Sequence, residues 1–174
     1  MKKIIQFIFA MIISFVPGII GMFFTPMGGD KWFGTLAKSS LTPDGWVFAV
    51  AWCALYAILG LALYLIMRDG SRGRDKIGAY IYFIMHMVMN ALWTYVFFGM
   101  HLPVMGMMIL AILVLVSIWM MMAFMELNRV AGWLVLPYVL WLIFAAYLNG
   151  AIVFMQYNLH GVVGAVEFIT SFIK

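Results

Sequence analysis

The segment SSLTPDGWVFAVAWCALYAILGLALYLIM, residues 39–67, decides the fold of this chain. From Gly45 to Met67 it contains no charged residue. A helix of about 20 apolar residues is long enough to cross a hydrocarbon layer of roughly 30 Å. Thr42 is expected as the N-cap of this helix and Pro43 as its first residue. The segment is therefore predicted to span a membrane.

Two neighbouring ridges of this predicted helix carry different side chains. Trp52 and Tyr56 lie one helical turn apart on the first ridge. Their indole and phenol groups need hydrogen-bond partners in hydrocarbon, so this ridge is expected to face a cavity or another helix. The second ridge carries the small residues Ala49, Cys53 and Ala57, which would let another helix approach closely. Cys53 is accordingly expected to be buried.

The composition of the whole chain is that of an integral membrane protein. Of its 174 residues, 67% are hydrophobic and only 9% are charged, which is too little charge for the surface of a soluble domain. The net charge is +4, and no basic run is interleaved with exposed aromatic residues. Nucleic acid is therefore not expected as a partner. A single cysteine excludes an intramolecular disulfide.

Hydropathy and turn signals predict an all-α integral membrane protein, a five-helix bundle with a long first loop as a lid. The uncharged stretch 77–125 is about twice as long as one span, and Gly99 and Pro103 mark its turn. The first loop, 25–44, is long for a compact bundle and is interpreted as a lid that contains a short packed helix. The predicted spans are residues 4–25, 44–67, 77–98, 103–125 and 130–155, and residues 157–174 are interpreted as an interfacial tail, a short helix or a frayed end.

The distribution of basic residues predicts the orientation in the membrane. Of the ten Lys and Arg residues, seven fall in the amino end, the second loop and the fourth loop, and three fall on the other side. Positive charge is enriched in cytoplasmic loops. The amino end is therefore predicted to be cytoplasmic, with the lid and the carboxyl end outside.

Span three places polar residues and an indole on one face, since His86, Asn90 and Trp93 follow at steps of four and three. Polar side chains inside a membrane serve either a functional site or hydrogen bonds between helices. The pattern leaves both alternatives open for His86 and Asn90. A haem-ligand role for His86 is not favoured, because no attachment motif such as C-x-x-C-H accompanies it.

Span five presents a second face of this kind. Its residues are Tyr138, Trp141, Ala145, Leu148 and Asn149. Trp52, Trp93 and Trp141 thus offer one indole from each of three spans to the interior of the bundle. Planar indoles suit a flat, largely apolar ligand held by stacking, and a purely structural aromatic core is the alternative. Three other tryptophans are interpreted as residues of the interfacial belt: Trp46, Trp119 and Trp133.

The spans lack the residue types that several other functions require. Between their ends they contain no Asp, Glu, Lys or Arg, so a proton or ion relay is not expected. Paired carboxylates, a metal-ligand cluster, a Ser-His-Asp set and a Gly-rich phosphate loop cannot be assembled from the sequence. We therefore predict no catalytic residue, no metal and no resident cofactor.

Short motifs in a fixed order carry a family resemblance. They are Trp32 in the first loop, Lys38-Ser39-Ser40 before Pro43 and Trp46, Trp52-x-x-Leu55-Tyr56, Asn90-x-x-Trp93 followed by Phe97-Phe98-Gly99, and Pro137-Tyr138-x-x-Trp141-x-x-Phe144-Ala145 with Leu148-Asn149. In this order, on five spans, the chain resembles the TspO/MBR family, also called tryptophan-rich sensory proteins, translocator proteins or peripheral benzodiazepine receptors. The resemblance covers about residues 14–156.

The resemblance implies a five-helix bundle, commonly a homodimer, with a cavity beneath the first loop. In the family this cavity binds porphyrins such as protoporphyrin IX, benzodiazepine-type drugs and, in animal members, sterols. Carried over residue by residue, the cavity would be lined by Trp52, Asn90, Trp93, Trp141, Ala145 and Leu148. Tyr56 and Asn149 complete the predicted ligand-binding set, together with Lys38, whose charge makes it a candidate partner for ligand carboxylates.

The chain departs from the family pattern at several positions. Ser39 stands in place of the proline after the loop lysine, and Tyr95-Val96 replace a Pro-Pro pair. Gly150 replaces the tyrosine of the sterol-recognition pattern, and no Lys or Arg follows nearby. Sterol binding is therefore doubtful, whereas the aromatic residues implied in tetrapyrrole binding are intact.

Three functions fit these residues. The first is a membrane receptor or sensor that binds tetrapyrroles, with no other cofactor. The second is light- and oxygen-dependent degradation of porphyrin, and the third is transport of porphyrin or sterol across the membrane. Coupled transport is less favoured, because the chain shows neither internal repeats nor charges inside its spans.

Overall fold

The computed structural model describes residues 1–25, 31–70 and 73–171, with side chains described up to residue 158. Within these ranges the chain is helical and contains no strand, which confirms the all-α prediction. The helices are α1 (Lys2–Phe24), α2 (Lys31–Thr35), α3 (Gly45–Arg68), α4 (Arg74–Thr94), α5 (Pro103–Leu127) and α6 (Arg129–Ser171).

Five of these helices are long and apolar enough to cross a membrane: α1, α3, α4 with its π-helical extension, α5 and the Arg129–Asn158 part of α6. This confirms the predicted five-helix membrane bundle. Successive spans run in opposite directions, so α2 lies at the end of the bundle where α1 ends and α3 begins; we call this the α2 end. The three predicted belt tryptophans, Trp46, Trp119 and Trp133, are all exposed, and their depth in a membrane stays a prediction.

The start of α3 differs from the prediction. Asp44, not Thr42, is the N-cap, and the helix begins at Gly45. The backbone amide of Thr42 donates instead to the carbonyl of Ser39 at 3.0 Å, so residues 39–42 form a turn. A residue that precedes proline is disfavoured in the helical conformation, and the chain enters the helix only after Pro43.

The helices α1 and α3 pack closely at Gly60. A methyl group added there would lie 2.8 Å from the Met11 Sδ atom and 2.8 Å from the Ser14 Oγ atom. The ridge of α3 that faces another helix is therefore the one that carries Gly60. On the small-residue ridge, Ala49 and Cys53 are exposed, so the prediction of a buried Cys53 is wrong.

The last turn of α4 widens into a π-helical turn, Tyr95–Gly99. The amide of Met100 donates to the Tyr95 carbonyl at 2.9 Å, which closes this wide turn. Gly99 ends it and Pro103 opens α5, both as the sequence predicted. Turns of this kind interrupt the regular helical register, and here the turn carries the neighbouring rings Phe97 and Phe98 at the α2 end.

The predicted short helix in the first loop is present as α2. Its Trp32 ring stacks on His101 with ring centroids 4.3 Å apart and meets the edge of Phe97 at 5.6 Å. Phe33 lies 5.7 Å from Phe98. These contacts hold α2 against the end of α4, and the interpretation of the whole first loop as a lid stays a prediction.

The helix α6 runs from Arg129 to Ser171, so the end of span five and the tail share one helical backbone instead of forming separate elements. Pro137 lies inside this helix. The interfacial location of the tail stays a prediction, and the side chains that would decide it, from residue 159 onward, lie outside the described residues.

Candidate ligand-binding site

Five rings from three spans meet inside the bundle, and we call them the aromatic cluster: Trp52, Tyr56, Trp93, Tyr138 and Trp141. Trp52 is its centre. The Trp52 centroid lies 5.5 Å from that of Tyr56, 6.1 Å from Trp93, 6.0 Å from Tyr138 and 6.3 Å from Trp141. These are ordinary distances for attractive ring pairs. The three indoles predicted to face the interior are thus brought together.

A hydrogen-bonded bridge lies on one side of the cluster and joins three helices. The Tyr56 hydroxyl donates to Asn90 Oδ1 at 2.9 Å, and Asn90 Nδ2 donates to the Tyr138 hydroxyl. All three side chains are buried. We call this the Tyr–Asn–Tyr bridge. The side-chain amide of Asn90 on α4 is thus hydrogen-bonded to both α3 and α6. Of the two alternatives for Asn90, the structure shows the hydrogen bond between helices.

His86 does not behave in the same way. It is fully buried one turn from Asn90, its ring centroid is 4.7 Å from that of Tyr138, and neither ring nitrogen has a partner among the described residues. Of the two alternatives left open for His86, a hydrogen bond between helices is therefore not formed within the described residues. No group of three His, Cys, Asp or Glu side chains that could hold a metal ion occurs among the described residues.

Three other polar atoms of the predicted ligand-binding residues are buried and unpaired within the described ranges. They are Nε1 of Trp93, Nε1 of Trp141 and Oδ1 of Asn149. A buried polar group without a partner costs about 1–3 kcal/mol. Two unpaired donors and one unpaired acceptor could therefore each bind a complementary group on a ligand.

The predicted α6 residues beyond Trp141 are buried on the expected face. Ala145 and Leu148 are each only 6% exposed. Asn149 Nδ2 donates to the Pro103 carbonyl at 2.9 Å, so this side chain also fixes the start of α5 against α6. No ring or hydrogen-bond contact joins these three residues directly to the aromatic cluster in the described part of the chain.

Lys38 lies three residues after the end of α2, and its ammonium group turns back onto carbonyl groups there. The Nζ atom donates to the carbonyls of Phe33 at 2.6 Å and Leu36 at 3.2 Å, and lies 4.7 Å from the centroid of the Phe33 ring. Cations are favourable beside the unpaired carbonyls at a helix C-terminus. This geometry gives Lys38 a role in holding α2, and the pairing with a ligand carboxylate stays a prediction.

Two aromatic residues of the site were not among the predicted ligand-binding residues. Tyr138 forms both a ring contact with Trp52 and one end of the bridge, and its spacing of three from Trp141 was the signal for it. Phe48 contacts Trp141 at 5.8 Å and lies one turn before Trp52 on α3. Its only sequence signal is that helical spacing.

An apolar groove of about 450 Å³ lies between α3 and α6, beside the cluster. Its lining consists of Ala51, Ala54, Leu55, Pro137, Leu140, Trp141 and Phe144. Trp141 is the residue that the groove and the aromatic cluster share. The fold and this site together define an integral membrane protein, a five-helix bundle with an aromatic cluster in its interior and an apolar groove beside it.

Comparison with known proteins places this bundle in a family. The model of the TspO/MBR family matches residues 9–155, and the chain belongs to this family. It is 29% identical to the tryptophan-rich protein TspO of Chlorobaculum tepidum, over 85% of this chain and 94% of that protein. It is 31% identical to the TspO of Archaeoglobus fulgidus, over 78% and 86% of the two chains.

Animal proteins are similar over a comparable range. The translocator protein of Bos taurus is 26% identical over 76% of this chain and 79% of its own length. A family that includes tryptophan-rich sensory proteins and translocator proteins supports a general role as a membrane receptor or sensor. The family resemblance predicted from the motifs is thereby confirmed.

Proposed function

We propose that this protein binds a flat, largely apolar ligand of the tetrapyrrole class, such as protoporphyrin IX, at the aromatic cluster. The observation that carries the proposal is the meeting of three indoles from three separate spans. The Trp52 centroid is almost equally distant from those of Trp93 and Trp141. Planar apolar ligands gain dispersion and stacking energy from such rings. A receptor or sensor requires this binding step.

The unpaired indole N–H groups support a ligand that carries hydrogen-bond acceptors. Trp93 and Trp141 both bury their Nε1 atoms without a partner in the described part of the chain. The carboxylates and the unprotonated ring nitrogens of a porphyrin are acceptors, and a hydrogen bond from either indole would remove the cost of burying its donor unpaired. A ligand without acceptors would gain only from stacking.

Binding at this cluster requires the rings to separate, because Trp52 contacts the other four rings of the cluster. Trp52 and Trp141 are only partly buried, whereas Trp93 is buried. The first two indoles can therefore move with less loss of buried surface than the third. We expect Trp52 and Trp141 to form the walls around the ligand and Trp93 to stay in place.

Titration of the purified protein with protoporphyrin IX tests the proposal. We expect a saturable shift of the Soret band in the wild type and an affinity at least about tenfold lower when Trp52→Phe and Trp141→Phe are combined, because two stacking surfaces shrink. Trp119→Phe is the matched control, since that indole is exposed on α5. Absence of a saturable shift, or equal affinity in all three proteins, would refute the proposal.

Illumination of the same complex in the presence of oxygen separates binding from degradation. A binding protein returns the porphyrin unchanged after extraction. Loss of Soret absorbance that is faster than in protein-free micelles, and that slows in the Trp52→Phe and Trp141→Phe double variant, would instead favour a degrading activity.

A further inference from the structure

We infer that the groove between α3 and α6 is the entrance through which a ligand reaches the aromatic cluster from the surrounding lipid, with the Trp141 indole as its movable wall. This inference rests on the proposed function and adds the path by which the ligand reaches its binding site. It is carried by the groove, by the contacts of Trp141 and by the packed side chains on two other sides of the cluster.

The groove has the chemistry of a contact surface for a small apolar molecule. It is shallow and open to the surface, with a volume of about 450 Å³. All its lining side chains are apolar or aromatic. On α3 it is bordered by the small residues Ala51 and Ala54, and Ala54 and Leu140 are exposed, so the groove opens on the outer surface of the bundle.

Trp141 separates the groove from the cluster and is held by ring contacts. It lines the groove, and its centroid is 6.3 Å from that of Trp52 on the cluster side. Phe48 and Phe144 contact it at 5.8 Å and 5.6 Å. Because its Nε1 atom has no partner among the described residues, no hydrogen bond to them has to break when the indole changes rotamer.

Packed side chains occupy two other sides of the cluster in the described part of the chain. At the α2 end, Trp32 and Phe33 pack on Phe97 and Phe98, and the Ser39 and Tyr147 hydroxyls are hydrogen-bonded at 3.1 Å. On the opposite side lies the Tyr–Asn–Tyr bridge. A flat apolar ligand concentrates in lipid for the same reason that it enters an apolar site, so it meets the groove directly.

Binding kinetics in lipid nanodiscs test the route. Ala54→Phe would place a ring in the groove from an exposed position on α3. We expect association and dissociation of protoporphyrin IX, followed by tryptophan fluorescence in a stopped-flow instrument, to slow together by about tenfold. Ala111→Phe is the matched control, since Ala111 is a small exposed residue on α5 away from the groove, and it should leave both rates unchanged.

Three results would overturn the inference. Equal rates in the Ala54→Phe and Ala111→Phe proteins, with saturable binding in both, would refute the entrance and leave the proposed function intact. Faster binding by Phe33→Ala, with no slowing by Ala54→Phe, would place the entrance at the α2 end. Absence of saturable quenching in the wild type would refute the proposed function, and the entrance with it.

Ala51→Leu provides a second, smaller obstruction of the groove, for which we expect slower association and dissociation as well.

Discussion

Asn90 joins three helices through its side-chain amide, which accepts from Tyr56 and donates to Tyr138. Such a bridge has two consequences for a membrane bundle. It satisfies three polar side chains away from water, and it fixes the rotation of α3, α4 and α6 relative to one another. The rings of Trp52, Trp93 and Trp141 are carried on the same three helices, so the bridge also sets how they meet.

We therefore predict that Tyr138→Phe lowers the free energy of unfolding. Removal of the hydroxyl leaves Asn90 Nδ2 without its acceptor, and hydrogen bonds between membrane helices contribute about 0.6–2 kcal/mol. Asn90→Ala, which also leaves a cavity, should cost more. Equilibrium unfolding in detergent with increasing denaturant measures both. Asn158→Ala is the control, because Asn158 is exposed; if it lowers the stability as much as Tyr138→Phe does, the bridge contributes nothing specific.

Lys38 gives a second prediction at the residue scale. Its ammonium group is coordinated by the carbonyls of Phe33 and Leu36, so we expect Lys38→Met to change the affinity for protoporphyrin IX and for its dimethyl ester by the same factor. In the dimethyl ester both carboxyl groups are methylated, so they carry no charge. A loss of affinity restricted to the free acid, of about fivefold or more, would show that Lys38 pairs with a ligand carboxylate after all.

At the scale of elements, the packing of α1 on α3 depends on the absence of a side chain at Gly60. We predict that Gly60→Ala destabilises the protein by about 1–3 kcal/mol, the usual cost of overpacking, because the added methyl would lie 2.8 Å from two α1 side-chain atoms. Thermal unfolding followed by circular dichroism measures the change.

Gly78→Ala on α4 is the matched control for Gly60→Ala. No heavy atom lies within 4 Å of a methyl group placed there, so the same substitution should be neutral or stabilising by up to about 1 kcal/mol, through helix propensity alone. Equal destabilisation by both variants would mean that close approach of α1 and α3 is not what Gly60 provides.

The sequence predicted the elements better than it predicted which ridges they bury. Hydropathy and the Gly99 and Pro103 turn signals suffice for five spans, because a lipid environment demands long apolar helices. The outward position of Cys53 was missed because almost every face of a membrane helix is apolar, so periodicity cannot separate lipid-facing from buried ridges. The N-cap of α3 was missed because the turn at Ser39 competes for the backbone of Thr42.

The candidate site was predictable to a similar extent. Helical spacing correctly brought Trp52, Trp93 and Trp141 to one place, since three spans each carry an indole beside a polar or aromatic residue. Spacing could not show that the side-chain amide of Asn90 would be hydrogen-bonded to two tyrosines of the same chain. Nor could it show that the Lys38 ammonium group would donate to carbonyl groups at the end of α2. Both outcomes depend on contacts between segments that lie far apart in the chain or on the path of a loop.

At the scale of the whole molecule, the orientation predicted from basic residues can be tested directly. In a Cys53→Ser background, Ser40→Cys near α2 and Gly70→Cys at the opposite end place single thiols at exposed positions. We expect a membrane-impermeant maleimide to label Ser40→Cys in intact cells and Gly70→Cys only after lysis. The reverse labelling pattern would invert the predicted topology.

The Tyr–Asn–Tyr bridge also bears on the word translocator in the names of the relatives. Beyond it, towards the amino-terminal end of the bundle, the interior is filled by side chains such as Leu59, Phe83 and Phe124, which are at most 2% exposed. If a ligand binds next to Trp52 as proposed, these buried side chains lie between it and the amino-terminal end, so we expect it to leave by the route through which it entered. If the protein moves a ligand between leaflets, we expect the path to follow the outer surface of the bundle, because the described side chains beyond the bridge are closely packed.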